Sequence, residues 1–108
     1  MAKAVELAHE AGVPVIAYDR LLTSCDLDLY ITFDNERVGE IQGNYLVENL
    51  PDDKENKIIR IYGAPTDNNA KLFKAGQDKA LKTAIESGEI KVIHEDWAQN
   101  WESQNAKK

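Results

Sequence analysis

The stretch IIRIYGAPTDNNAKLFKAGQDKALKTAIESGEIKVI, residues 58–93, decides the fold. It opens on a β-rich run, Ile58 to Tyr62, and closes on another, Ile90 to Ile93. Between them Phe73, Ala80, Leu81 and Ala84 recur at helical spacing. That spacing predicts a helix over about 69–87, with Gly88 placed to end it. Strand, helix and strand in this order form a crossover, which joins parallel neighbours in a sheet covered by helices.

Upstream the pattern repeats. A second helix is predicted from about Glu36 to Leu50, with Val38, Ile41, Tyr45 and Leu46 to one side and Asp34 or Asn35 as its cap. Pro51 to Asn56 reads as a solvated loop. Leu27 to Phe33 alternates, with Leu27, Leu29, Ile31 and Phe33 on one face. Val13 to Tyr18 is a continuous apolar run, as expected of a parallel strand buried on both faces. Its Pro14 sits near the start, where a missing donor is tolerated. Residues 1–12, MAKAVELAHEAG, predict a helix from about Ala2 to Ala11 ended by Gly12. Glu6 and Glu10 interrupt any apolar region there, so the stretch does not read as a secretory signal. The order is α-β-β-α-β-α-β, followed by a short polar tail that reads as the start of another helix. This is an α/β chain with a mostly parallel, Rossmann-like sheet. A leading helix with no strand before it suggests a beginning in the middle of a larger fold.

Composition bounds the chemistry. The 108 residues suit one modest domain, too short for two complete lobes with a ligand cleft between them. Thirteen basic and 19 acidic residues give a net charge of −6, with no basic stripe to hold nucleic acid. No apolar run reaches the roughly 20 residues of a membrane helix. The single Cys25 excludes an internal disulfide and a cysteine-built zinc site. His9 and His94 lack a second ligand at metal spacing, and Ser24 and Cys25 lack a nearby histidine base. There is no G-x-G-x-x-G and no phosphate-cradling loop. Neither catalysis nor a cofactor is expected.

The informative residues follow the strands, where ligands of open parallel sheets bind. Strand one ends in Tyr18-Asp19-Arg20, strand three in Tyr62-Gly63-Ala64-Pro65-Thr66-Asp67-Asn68-Asn69, and strand four in His94 to Trp101. Carboxylate, guanidinium and amide groups offer planar forks to adjacent hydroxyls, and indoles offer flat faces to a sugar ring. Taken alone, Asp19 and Arg20 read as a local ion pair. Asp67 reads equally as a helix cap or a ligand contact. Asp34 and Asn35 read as caps, and Trp97, Tyr18 and Tyr62 as packing.

Together, Tyr18-Asp19-Arg20, Phe33-Asp34-Asn35-Glu36-Arg37-Val38-Gly39, Pro65 to Phe73, Lys74-Ala75-Gly76-Gln77 and the spaced Trp97 and Trp101 resemble the corresponding stretches of D-xylose-binding proteins. Those are substrate-binding subunits of bacterial sugar ABC transporters with the type I periplasmic binding protein fold. The resemblance runs almost end to end. It implies a monosaccharide ligand of the D-xylose type and a membrane permease as partner. It implies that Asp19 and Arg20 bind sugar hydroxyls from a first lobe, Asp67 and Asn69 from a second, and that the pyranose stacks on Trp101. Residues 1–30 would end the first lobe, 31–35 would cross between lobes, and 36–108 would open the second, leaving both lobes incomplete. A periplasmic or extracellular setting follows for the full-length family. An isolated chain of this extent would bind sugar weakly or not at all, and its unpaired strands would favour self-association. The rival readings are an extracytoplasmic sugar sensor with a membrane signalling partner, and a small flavodoxin- or receiver-like domain.

Overall fold

The structure, a computed structural model, describes residues 1–51 and 55–107, so the centre of the expected solvated loop, residues 52–54, lies outside it. The chain divides into two compact units, Met1–Phe33 and Asp34–Lys108.

In the first unit, helix α1 (Ala2–Glu10) precedes two short strands, β1 (Ile16–Tyr18) and β2 (Leu29–Ile31). The helix ends as its sequence predicts. Gly12 adopts φ +73° and donates to the His9 carbonyl at 2.9 Å, and Val13 donates to that of Ala8. The strands pair in parallel, with Ile16 opposite Leu29 and Tyr18 opposite Ile31. β1 is shorter than the apolar run suggests, because the first N–H groups of that run go elsewhere. Val13 closes the helix, and Val15 donates to the Asp28 carboxylate at 2.6 Å. That bond, followed by the 2.8 Å contact with His9, holds the Asp28 carboxyl below its usual range. Burial on both faces is not found. Ala17 is buried, whereas Ile16 and Tyr18 are exposed, so Tyr18 is not a packing residue. A two-stranded sheet with one helix cannot cover both faces.

The second unit contains α2 (Asn35–Asn49), β3 (Asn56–Tyr62), α3 (Asn68–Glu86) and β4 (Ile90–Trp97). A 3₁₀ turn (Gln99–Trp101) and a short α4 (Ser103–Ala106) follow. Gly88 ends α3 region with φ +81°, as expected. β4 is longer than its apolar core predicts. The polar run His94-Glu95-Asp96-Trp97, placed by the sequence at the end of strand four beyond its apolar run, continues the strand because the parallel ladder with β3 carries it to the pair Tyr62–Trp97. Ile58 pairs with Val92 but Ile59 with His94, so Ile93 is skipped as a bulge. The skipped residue reverses the alternation, and Glu95 and Trp97 come to the side of Arg60 and Tyr62. The Tyr62 and Trp97 rings lie 4.8 Å apart, tilted by 44°. Burial, reinforced by a hydrogen bond to Glu95, pushes the Tyr62 hydroxyl well above its usual pKa.

Helices α2 and α3 meet almost backbone to backbone. A Cβ on Gly76 would lie 2.7 Å from the Glu40 nitrogen, one on Gly43 would lie 2.6 Å from the Ala80 Cβ, and one on Gly39 would lie 2.9 Å from the Phe73 carbonyl carbon. Leu81, Ala84 and Ile90 form the core beneath this seam, with Leu46, Val47, Leu50 and Ile58 packed around them. On the other side of β3, Ile59 and Ile61 are exposed.

Arg60, buried on β3, donates to Asp78 Oδ1 at 2.6 Å, and Lys74 donates to Asp78 Oδ2 at 2.8 Å. Burial opposes the charged form of Asp78, but the Lys74 and Arg60 bonds outweigh it and hold the carboxyl below its ordinary value of 3.8. A group depressed in this way stabilises the fold at pH above the ordinary value, and that contribution disappears as pH falls through the folded one. Urea midpoints of the wild type and Asp78→Asn should therefore differ at neutral pH and converge in acid. A constant offset down to the acid limit would contradict this.

Candidate functional site

The β3–α3 turn is built around Asp67. Its Oδ1 accepts the backbone N–H of Asn69 at 2.9 Å and so caps α3, whose first turn carries Asn69. Its Oδ2 accepts the indole N–H of Trp101 at 2.9 Å. Asp67 is thus a cap and more than a cap: the same carboxylate ties the start of α3 to the turn after β4. Asp67 and Asn69 are buried, while Trp101 is about half-exposed, at 49%.

Two backbone features seat the indole. Asn100 and Trp101 both adopt left-handed φ, at 56° and 61°, which turns the chain sharply after Ala98. The ring then lies directly on Gly63, where a Cβ would collide with its six-membered edge. Gly63 therefore acts through its missing side chain. Trp97 belongs to the strand and packs on Tyr62 instead.

One neighbour escaped the sequence reading. Asn35 does not cap α2; Asp34 does, accepting from the Arg37 N–H at 3.1 Å. Asn35 is buried and donates its side-chain amide to Asn69 Oδ1 at 3.0 Å. An Asp-Asn pair before a helix looks like two cap candidates, and only the α2–α3 packing reveals the second one's partner.

In the first unit, Asp19 follows β1 in a left-handed conformation (φ 69°), held by its N–H to the Ile31 carbonyl at 2.7 Å. The Tyr30 hydroxyl donates to its carbonyl at 3.0 Å. Asp19 lines a recess of about 90 Å³ with Tyr18, Ile31, Thr32 and Phe33. Arg20 is exposed beside it. Cys25 is a half-buried loop thiol facing the Leu22 carbonyl.

The second unit thus gathers Asp67, Asn69 and Trp101, and the first places Asp19 and Arg20 side by side. The second unit offers a carboxylate, an amide and an aromatic face, and the first a carboxylate and a guanidinium. Among the described residues no cluster of His, Cys, Asp or Glu is placed to hold a metal, and no helix is long and apolar enough to cross a membrane.

The family model for a periplasmic binding protein domain matches residues 1–108, the whole chain. The chain belongs to the periplasmic binding protein family. The D-xylose-binding periplasmic protein of Escherichia coli is 44% identical over all 108 residues, which span 32% of that protein's length. An ABC transporter solute-binding protein from Clostridium phytofermentans, solved with β-D-glucose bound, superposes with a TM-score of 0.81 at 30% identity. That match covers 98% of this chain and 36% of the other. The fructose-binding periplasmic domain of a hybrid two-component system gives a TM-score of 0.74 at 30% identity, covering 99% and 34%. The chain therefore spans about a third of the relatives it matches. The α/β class and parallel pairing read from the sequence agree with this fold.

Proposed function

We propose that this chain is the sugar-contacting middle of a solute-binding protein for a D-xylose-like aldose, working with the membrane permease of an ABC transporter. The observation that carries the reading is the cluster in which Asp67 caps α3, holds the Trp101 indole and adjoins the buried Asn69. A pyranose needs such a set, with acceptors and amides for its hydroxyls and a flat apolar face for its C–H side. Asp19 and Arg20 supply the matching groups of the first unit. In this reading residues 1–30 close a first lobe, 31–35 form a crossing, and 36–108 open a second. The ligand is bound without chemistry, and the setting is periplasmic, as in the named relatives.

The likeness to a domain of a hybrid two-component system favours a second reading, a sugar sensor that presents its bound form to a signalling partner. A permease or a sensor kinase encoded beside this chain separates the two.

With only part of the sugar's contacts, the purified chain should bind D-xylose weakly. Polar groups of a half-formed site stay solvated, and little water is excluded. Calorimetric titration of the 108-residue chain tests this. Tight, submicromolar binding by a monomer would overturn the expectation of incomplete binding, whereas an equal response to all sugars and to none of the site variants would overturn the sugar reading itself.

A further inference from the structure

We propose that Asn35 is a positioning residue for the sugar site, setting the orientation in which Asn69 meets its ligand; this rests on the reading of Asn69 as a sugar contact. Capping of α2 does not call for asparagine at position 35. Asp34 already caps the helix, and Glu36 already provides the acidic first turn. Yet Asn35 is among the most buried polar residues of the chain, at 4% exposure, and its amide reaches across to Asn69 Oδ1 at 3.0 Å.

The terminal torsion of an asparagine has no strong preference between its two amide orientations, so the partner decides. Here the partner is buried, where a hydrogen bond is strong and an unmet group is costly. The bond also cannot be relaxed by sliding the helices, since Gly39 and Gly76 hold their backbones in contact. Asn69 is therefore fixed twice, through its backbone N–H by Asp67 and through its side-chain oxygen by Asn35. The sequence Asn35–Asn69–Asp67–Trp101 is a run of hydrogen bonds linking the first residue of α2 to the indole. With its oxygen committed to Asn35, Asn69 has its amide orientation set before a ligand arrives, while Asp67 offers carboxylate oxygens to hydroxyls that donate.

The test is amide exchange by NMR on the ¹⁵N-labelled full chain, comparing the wild type with Asn35→Ala and with the near-isosteric Asn35→Asp. Both variants remove the donor. Asn69 is the acceptor of this bond, so the two variants should differ. Asn35→Ala should leave Asn69 side-chain amide exchange near the wild-type rate while moving its resonances. In Asn35→Asp the Asn69 amide turns to donate to the new carboxylate and should exchange about ten-fold more slowly, the size of one gained hydrogen bond. The Trp101 indole resonance should stay in place and report that the unit remains folded. Unchanged Asn69 exchange in a folded Asn35→Asp protein, or unmoved Asn69 side-chain resonances in a folded Asn35→Ala protein, overturns the proposal, and so does global unfolding of both, which makes Asn35 a residue of stability alone. Titration with millimolar D-xylose is a separate arm. In the wild type the sugar should shift both Asn69 and Trp101; in the variants it should shift Trp101 but lose its effect on Asn69. A wild type in which neither resonance moves removes the sugar reading, while the exchange measurement still decides what Asn35 does to Asn69.

Discussion

Replacing Gly76 by valine is expected to unfold the unit that contains α2 and α3. Even the single carbon of alanine would lie 2.7 Å from the Glu40 nitrogen and 2.9 Å from the Glu36 carbonyl carbon. These obstacles are backbone atoms of a neighbouring helix, which cannot rotate away as a side chain can. Overpacking ordinarily costs about 1–3 kcal/mol, and a rigid obstacle puts alanine near the top of that range and valine beyond it. A unit of this size holds only about 4–11 kcal/mol in total, at ~0.05–0.15 kcal/mol per residue. Urea denaturation followed by circular dichroism should show a strongly lowered midpoint for Gly76→Ala and little cooperative transition for Gly76→Val. Gly12→Ala makes a useful contrast. A Cβ there meets nothing within 4 Å, and only its φ of +73° is unfavourable, so about 1 kcal/mol should be lost. Equal losses at the two glycines would show that the helices are not held at backbone distance.

The second large effect belongs to Asp67. The proposed site depends on this carboxylate three times over, for the ligand, for the cap of α3 and for the tether of the indole. A protein in which residues 1–108 replace the matching third of the Escherichia coli D-xylose-binding periplasmic protein supplies the remaining contacts for a binding measurement. In it, Asp67→Ala should weaken D-xylose by about a hundred-fold or more, since a charged hydrogen bond is worth roughly 1.5–3 kcal/mol and Trp101 is released at the same time. Asp67→Asn keeps an oxygen for capping and should fall between alanine and the wild type. The cap contributes about 1 kcal/mol to folding and is read separately from urea midpoints. An Asp67→Ala protein that folds and binds within a few-fold of the wild type would remove Asp67 from the site.

The fold was largely legible because its signals are local. Apolar periodicity placed α2 and α3, and Gly12 and Gly88 marked helix ends with the positive φ they adopt. What stayed hidden depends on neighbours. His94-Glu95-Asp96 lies beyond the apolar run of strand four and is strand only because the β3 ladder pairs it, and the bulge at Ile93 leaves no mark in a period-two pattern. The expectation of a doubly buried β1 assumed covering elements that the first unit does not contain.

Around the site, the carboxylate of Asp67 left cap and contact equally open, and the structure shows the cap together with an indole tether that spacing could not predict. Asn35 was hidden by its company, because Asp34 beside it satisfies the same helix-start signal. The seam had a signal that went unused: Gly39 and Gly43 stand one helical turn apart on one face of α2, a spacing that permits close approach.

That glycine seam has a consequence for how a ligand is received. Side chains at a helix interface can repack among several rotamers, and an equilibrium among such packings would leave only a fraction of molecules competent to bind. Apparent affinity falls in proportion to that fraction. Gly39, Gly43 and Gly76 have no rotamers to redistribute, so α2 and α3 have one way of lying together, and Asn35 and Asn69 inherit it. In the proposed sugar site, the arrangement of Asn35 and Asn69 is therefore set by the backbone contact of two helices and needs no ordering by the ligand.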